Sequence, residues 1–403
     1  MVIYEYKVAG TQAQYAAIEE AIRVTQFIRN KALRLWMDTR GINRNDLQCY
    51  CSTLAKDYDF ASCLNSQARQ AAADRAWSAI ARFYENCKQH KPGKKGYPRF
   101  QHDNRSVEYK QTGWKLEPDG KHLTFTDGCG IGMLRLVGNQ GQRIEDYPIK
   151  LIKRIRIVRR ADGYAVQFVV QAERHIEHIS TGKQVGIDLG LKEFLTTSEG
   201  NTVANPRHLR KAEQRLKRLH RRFSRTQKKS KNRAKARQRL AKGYLKVSRQ
   251  REDFARKTAN ALVTSHDFIA YEDVKIRNLV RNRHLSKSIS DAAWGRFLSW
   301  LTYYGGIHDI PVMAVEPAFT TQDCSACGHR VKKSLAVRTH ICPKCGLVMD
   351  RDHNAAVNIL ARGLELFRTG GQSGTGLSSK RRNASGQPPA TRSGRATTGK
   401  VTG

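Results

Sequence analysis

Apolar positions along the chain change period several times, and each change marks a different element. "VIYEYKV" at the start alternates and predicts a strand. "TQAQYAAIEEAIRVTQFIRNKALRLWM" then places Ala, Ile, Val, Phe and Leu at steps of three and four, which predicts a long helix with Thr11 as its N-cap. "LNSQARQAAADRAWSAIARFYENC" repeats the helical period and ends in "KQHKPGKKGYPRF", where Pro92, Gly93, Gly96 and Pro98 break regular structure. Residues from about 10 to 93 therefore read as a helical unit.

The period then shortens to two. "GWKLEPDGKHLTFTDG", "IGMLRLVG" and "KLIKRIRIVRRADGYAVQFVVQAE" read as short strands joined by Gly or Asp-Gly turns. In "RIRIVR" the alternation puts Ile inward and a basic row outward. A small β-barrel or sheet follows, which the first strand completes around the inserted helical unit. "QVGIDLGLKEFLTTSEGNTV" adds strands, and "SHDFIAYEDV" is a buried-type strand ending in acids. "SDAAWGRFLSWLTYYGG" predicts an amphipathic helix stopped by Gly305-Gly306, "IPVMAVEP" a strand, and "RDHNAAVNILARGLELF" a closing helix. Residues 369–403 carry almost no large apolar side chain and predict a disordered basic tail.

Charge narrows the choice of partner. The 403 residues hold 73 Lys and Arg against 35 Asp and Glu, a net charge of +38. Such an excess attracts polyanions, with nucleic acid first among them. Residues 207–257 alone contain 22 Lys and Arg and three acids, Glu213, Glu252 and Asp253. Leu209, Leu216, Leu219 and Phe223 share a face there, and Leu240, Tyr244 and Phe254 suggest a second helix returning after "SRTQKKSKN". A helical hairpin with a nucleic-acid face fits this pattern. No apolar run approaches the ~18 residues of a spanning helix. The N-terminus lacks the charged and apolar regions of a secretory signal. A cytoplasmic protein is expected.

Nine cysteines are present. Cys324, Cys327, Cys342 and Cys345 form two CxxC pairs, each followed by Gly, and four thiolates suffice for a closed, structural Zn²⁺ site. His329 and His340 then read as surface histidines. Cys49, Cys51, Cys63, Cys87 and Cys129 lack such spacing and read as free or packed thiols in a reducing compartment.

Three acidic segments complete the candidate chemistry. Asp188 lies inside the apolar strand "VGIDLG", where a carboxylate is costly unless paired or bound to metal. Glu272 ends "DFIAYE", and Asp352 opens the last helix beside Asp350. Taken singly, Glu272 reads as a strand-end acid and Asp350 or Asp352 as a helix-start acid favoured by the dipole. Their order of strand, strand, helix is that in which an RNase H-like sheet presents its acids. Three converging carboxylates holding Mg²⁺ suit phosphodiester hydrolysis.

At this point "GIDLGLKEFLTTSEG", "YEDV", "SISDAAWGRFLSWLTYYG", "CSACG…AVRTHICPKCG" and "DRDHNAAVNI", in that order, resemble TnpB, the RNA-guided nuclease family of bacterial insertion sequences, and the compact type V CRISPR effectors descended from it. "GKKGYPRF" and "IRNKAL" match more loosely. The resemblance implies a multidomain α/β protein. Residues 1–9 and 94–180 would form a wedge β-barrel, and 10–93 a helical recognition domain. Residues 181–319 and 350–368 would form a RuvC nuclease domain of RNase H-like fold, and 320–349 an inserted zinc-ribbon target-loading module. It places the catalytic, Mg²⁺-binding acids on Asp188, Glu272 and Asp352, the last because the family acid lies two residues before the Asn of "NAA", here Asn354. It makes Arg338 a supporting residue near the scissile phosphate and Gln70 a reader of the target-adjacent motif. It implies a guide RNA and double-stranded target DNA as partners. An RNase H-like DNA transposase and a catalytically silent RNA-guided DNA-binding protein are the alternatives.

Overall fold

The computed structural model describes residues 1–138, 144–334 and 336–370. The expected tail beyond residue 370 lies outside the described residues. The chain divides into two compact units, Met1–Glu173 and the remainder from Arg174.

In the first unit, β1 (Val2–Ala9) leads into α1 (Gln12–Asp38), α2 (Arg44–Asp57), α3 (Asp59–Ser62) and α4 (Ser66–Lys88). Thr11 caps α1 in a capping box, its hydroxyl accepting from the Gln14 N–H at 3.3 Å while the Gln14 side chain accepts from the Thr11 N–H at 2.8 Å. The reading above left α2 unassigned, although Leu47, Cys51 and Leu54 recur at helical steps and are all buried. The strands follow as β2 (Ser106–Tyr109), β3 (Trp114–Leu116), β4 (His122–Phe125), β5 (Gly132–Val137), β6 (Ile152–Arg160) and β7 (Gly163–Val170). Their sheet has the order β2-β6-β7-β1-β5-β4-β3, so β1 sits at its centre and the helices are an excursion between β1 and β2. Ile155 and Ile157 of β6 are buried, as alternation requires. Arg154 and Arg156 reach Glu108 of the neighbouring β2 at 3.0 and 2.7 Å. Part of the basic row therefore pairs within the protein. Cys63, just after α3, and Cys129, between β4 and β5, lie with their Sγ atoms 2.9 Å apart, a proximity their separation of 66 residues conceals.

In the second unit, β8 (Gln184–Leu189), β9 (Glu193–Thr197) and β10 (Thr202–Ala204) form an antiparallel meander. α5 (His208–Ser224) and α6 (Lys231–Ser265) follow, then β11 (Phe268–Glu272), α7 (Ile276–Leu279), α8 (Ser286–Ala292), α9 (Trp294–His308) and β12 (Val312–Val315). The sheet order is β10-β9-β8-β11-β12, with β8, β11 and β12 parallel. β13 (Thr339–Ile341) and β14 (Val348–Asp350) make a small ribbon before α10 (Arg351–Gly370). Two expectations are corrected here. α9 runs through Gly305 and Gly306 to His308. A Cβ on Gly305 would stand 2.4 Å from the Val312 side chain, so this glycine permits close packing of β12 and does not end the helix. His340 is fully buried, not a surface residue, while His329 is exposed.

Candidate active site and four-cysteine cluster

Parallel pairing brings the first two acids together. Ile187 of β8 pairs with Tyr271 of β11. One step further, Asp188 and Glu272 occupy neighbouring positions at the ends of the two strands. The third acid arrives by helix packing. A Cβ on Gly186 would lie 2.2 Å from the Ala356 carbonyl oxygen and 2.6 Å from the Leu360 nitrogen. Only a residue without a side chain lets the backbone of α10 cross β8 this closely. That crossing delivers Asp352, in the first turn of α10, to Asp188. Burial pushes the Asp188 carboxyl up to about 8, and the charges of Glu272 and Asp352 push in the same direction. Glu272 is also raised, by burial, against a hydrogen bond from the Thr320 hydroxyl and the charge of Arg362.

Asp352 is held by two arginines. The Nε and Nη2 atoms of Arg351 donate to its Oδ1 at 2.9 and 2.7 Å, and Arg338 Nη1 lies 3.4 Å from its Oδ2. The ribbon explains the second contact, because Thr339 pairs with Asp350 and the Arg351 N–H donates to the Arg338 carbonyl at 2.7 Å. Arg338 is half-exposed, whereas Arg351 is largely buried. The sequence reading passed over Arg351, whose only signal was its place beside Asp352. Gln70 lies partly buried on α4 in the first unit, in a different compact body from the acids.

The four cysteines form one cluster, their sulfurs all within 4.8 Å of one another. Cys324 and Cys345 are 3.6 Å apart, as are Cys327 and Cys342. Four thiolates at a Zn–S distance of about 2.3 Å around a tetrahedral ion would stand about 3.8 Å apart, so the set fits Zn²⁺. The two knuckles share one design. The Gly328 N–H donates to the Cys324 carbonyl and the Gly346 N–H to the Cys342 carbonyl, each at 2.9 Å, with φ of +71° and +73° at the glycines.

The basic stretch is the helical hairpin of α5 and α6, closed over a small core of Leu216, Leu240 and Val247. α5 begins at His208, and Arg207 before it supplies no side-chain cap. Asp291, buried on α8, supplies one: its Oδ1 and Oδ2 accept from the N–H groups of Leu209 and Arg210 at 2.8 and 3.2 Å, and its Oδ1 also takes Arg251 of α6 at 2.9 Å. Arg218, Arg221, Arg222 and Arg225 line an open pocket of about 440 Å³ on this hairpin. Among the described residues no helix is long and apolar enough to cross a membrane.

Residues 167–283 match the family OrfB_IS605, described as a probable transposase, and residues 294–359 match the Cas12f1-like TNB domain. A protein of Streptomyces pristinaespiralis named "Putative RNA-guided DNA endonuclease" is 39% identical over 187 residues, 46% of each chain. A protein of Escherichia coli K12 with the same description and the added name InsQ is 25% identical, over 55% of this chain and 59% of its own. This chain thus spans about half the length of these two relatives. A Mycobacterium tuberculosis relative of the same description is 26% identical over 330 residues, 74% of this chain and 71% of its own. Among solved structures, Cas12f1 in a complex with sgRNA and target DNA superposes with a TM-score of 0.51 at 14% identity, covering 87% of this chain and 83% of that one. The mini-RNA-guided endonuclease CRISPR-Cas phi3 superposes with a TM-score of 0.52 at 10% identity, covering 89% and 92%. Likeness at this identity is a likeness of fold.

Proposed function

We propose that this chain, a member of the TnpB family, is an RNA-guided DNA endonuclease that hydrolyses phosphodiesters at the site of Asp188, Glu272 and Asp352. The observation that carries the reading is the approach of Glu272 and Asp352 to a buried Asp188: burial first, then their charges, raise its carboxyl to about 8, although among the described residues only the four cysteines already stand close enough together to share one ion. A site that gathers three carboxylates and buries one of them is stable in its ionised form only with cations among them. Mg²⁺ held there would activate the attacking water and neutralise charge on the phosphate.

The chain's own residues divide the remaining work. Asp188 and Glu272, on neighbouring strand ends, fix one side of the metal site, and Asp352 approaches from the helix. Arg351 holds Asp352 in orientation. Arg338, beside the same carboxylate and half-exposed, faces solvent where a phosphate could be met. The four cysteines would hold a structural Zn²⁺ that stiffens the ribbon bearing Arg338. The hairpin of α5 and α6, where Arg218, Arg221, Arg222 and Arg225 gather, offers a face for the nucleic-acid backbone.

In this reading the second unit carries the RuvC nuclease domain, with the zinc-ribbon target-loading module inserted at 320–349. Residues 1–9 and 94–180 are the wedge barrel and 10–93 the recognition helices, where Gln70 would help read a target-adjacent motif. Guide pairing would read the target, and the protein would follow heteroduplex shape. Purified protein with its own RNA and Mg²⁺ should cut matched DNA, and Asp188→Ala should abolish cutting while RNA binding persists. Cutting retained in that variant would remove this site from the mechanism.

The probable-transposase description of residues 167–283 favours a second reading, strand transfer by the same acids. Copurification of RNase-sensitive nucleic acid and hydrolysed 3′ and 5′ ends support the nuclease. Joined products without RNA support the transposase.

A further inference from the structure

The segment "DHNAAVNILAR" places Asn354, Asn358 and Arg362 at four-residue steps on one face of α10. All three grip the chain that enters the first cysteine knuckle. Asn354 is fully buried; its Oδ1 accepts the Ser325 N–H at 3.0 Å and its Nδ2 donates to the Asp323 carbonyl at 2.8 Å. Asn358 Nδ2 donates to the carbonyls of Asp323 and Thr320 at 2.7 and 2.9 Å. Arg362 reaches the Ala318 carbonyl at 2.6 Å and the Asp323 carboxylate at 2.9 Å. Burying amides costs free energy unless they are satisfied, so an asparagine at a fully buried helix position marks main chain that must be held.

Both ends of this contact touch the chemistry. Ser325 lies between the knuckle ligands Cys324 and Cys327, and Asn354 lies two residues after Asp352. Thr320, also buried, donates its hydroxyl to Glu272. The segment 320–325 therefore joins the cysteine cluster to two of the three acids, through Asn354 to the helix of Asp352 and through Thr320 to Glu272 itself.

We propose that Asn354 and Asn358 are positioning residues that couple the four-cysteine cluster to the acidic site, so that zinc held by the cysteines sets the register in which Asp352 and Glu272 bind their cation. The proposal rests on the metal-binding roles assigned above and extends them to residues outside either ligand set. Coupling between two metal sites is reciprocal: whatever zinc does for the acids, a cation at the acids does for zinc.

The test is a double cycle on the full-length chain, free of RNA so that Mn²⁺ reports the protein, with Asp188→Ala measured separately as the blank for Mn²⁺ bound elsewhere. Mn²⁺ affinity is measured by electron paramagnetic resonance in wild type and Asn354→Ala, each with zinc bound and after chelation. Zinc release to a chelator is timed with and without saturating Mn²⁺. Zinc removal is expected to weaken Mn²⁺ binding about tenfold in wild type and to add nothing in Asn354→Ala, which already binds Mn²⁺ about tenfold more weakly. Mn²⁺ should slow zinc release in wild type only. Asn354→Asp, which keeps the acceptor for Ser325, should recover part of the loss, and Asn358→Ala should show a smaller effect of the same sign. Should Asn354→Ala fail to fold, the same cycle is run on these two variants. Equal costs of zinc removal with and without Asn354, or a purified protein without zinc, would overturn the proposal. Failure of the wild type to cut DNA while this cycle holds would instead count against the nuclease reading alone.

Discussion

Asp350 accepts the backbone N–H of Asp352 at 2.8 Å, and that of His353 at 3.1 Å. The two aspartates that open α10 thus have different work: Asp350 caps the helix, and Asp352 meets Arg351 and Arg338 and adds its charge to the surroundings of Asp188. Asp352→Asn should abolish metal-dependent cutting and, because it removes the charge that Arg351 and Arg338 meet, also lower stability. Asp350→Ala should cost about 1 kcal/mol of stability through the lost cap. Asp350→Ser, which can still accept from the helix N–H groups, should restore most of it. Thermal melts and single-turnover cleavage of the three variants separate the two roles.

The raised Asp188 carboxyl gives a pH dependence with a definite sign. Burial, with Glu272 and Asp352 nearby, takes it from an ordinary 3.8 to about 8, so the metal-free folded protein binds this proton more tightly than the unfolded chain does. The stability it contributes is complete below the unfolded value and is lost as pH rises from about 4 to about 8. In EDTA the melting temperature should fall across this window, and Mg²⁺ should raise it more at pH 8 than at pH 5. Asp188→Asn should flatten both trends. A melting temperature that rises through the window in EDTA, in wild type but not in Asp188→Asn, would contradict the assignment.

Gly186 should tolerate no side chain. The added methyl of Gly186→Ala would meet backbone atoms of α10 at 2.2 and 2.6 Å, and backbone cannot rotate away. A loss of roughly 1–3 kcal/mol is expected, measured by urea unfolding, with α10 displaced and cutting lost even where the protein stays folded. Gly306, whose added Cβ meets nothing within 4 Å, is the control, and Gly306→Ala should leave activity unchanged.

Cys63 and Cys129 should form a disulfide under a mild thiol oxidant such as diamide, which takes up the two thiol hydrogens as the S–S bond forms. Their sulfurs stand 2.9 Å apart, and a bond would close a long loop across the first unit. Peptide mapping should recover the linked pair. The melting temperature of the oxidised protein should rise by roughly 5–10 °C. Cys63→Ser should abolish both effects, while Cys87→Ser should not.

Local order was legible in the chain itself. Thr11 with Gln14 announces the start of α1, the alternation of "RIRIVR" announces β6, and the leucines between 209 and 240 announce the basic hairpin. These signals are legible because helix periods, strand alternation and caps depend on neighbours a few residues away. The CxxC pairs likewise carry their chemistry in their spacing, since a knuckle is a local turn. Asp188, Glu272 and Asp352 could be named from segments and family resemblance, but what brings their segments near one another is the parallel pairing of β8 with β11 and a helix crossing at Gly186.

What only tertiary structure decided lies between distant segments. Cys63 finds Cys129, and Asp291 caps a helix more than eighty residues before it. Asn354 grips the Ser325 amide, yet in the sequence it is one polar residue in a helical run. Each of these contacts closes a long loop whose entropic cost grows only with the logarithm of its length. No short-range pattern therefore marks them, and they form because packing within each unit has already brought the segments together.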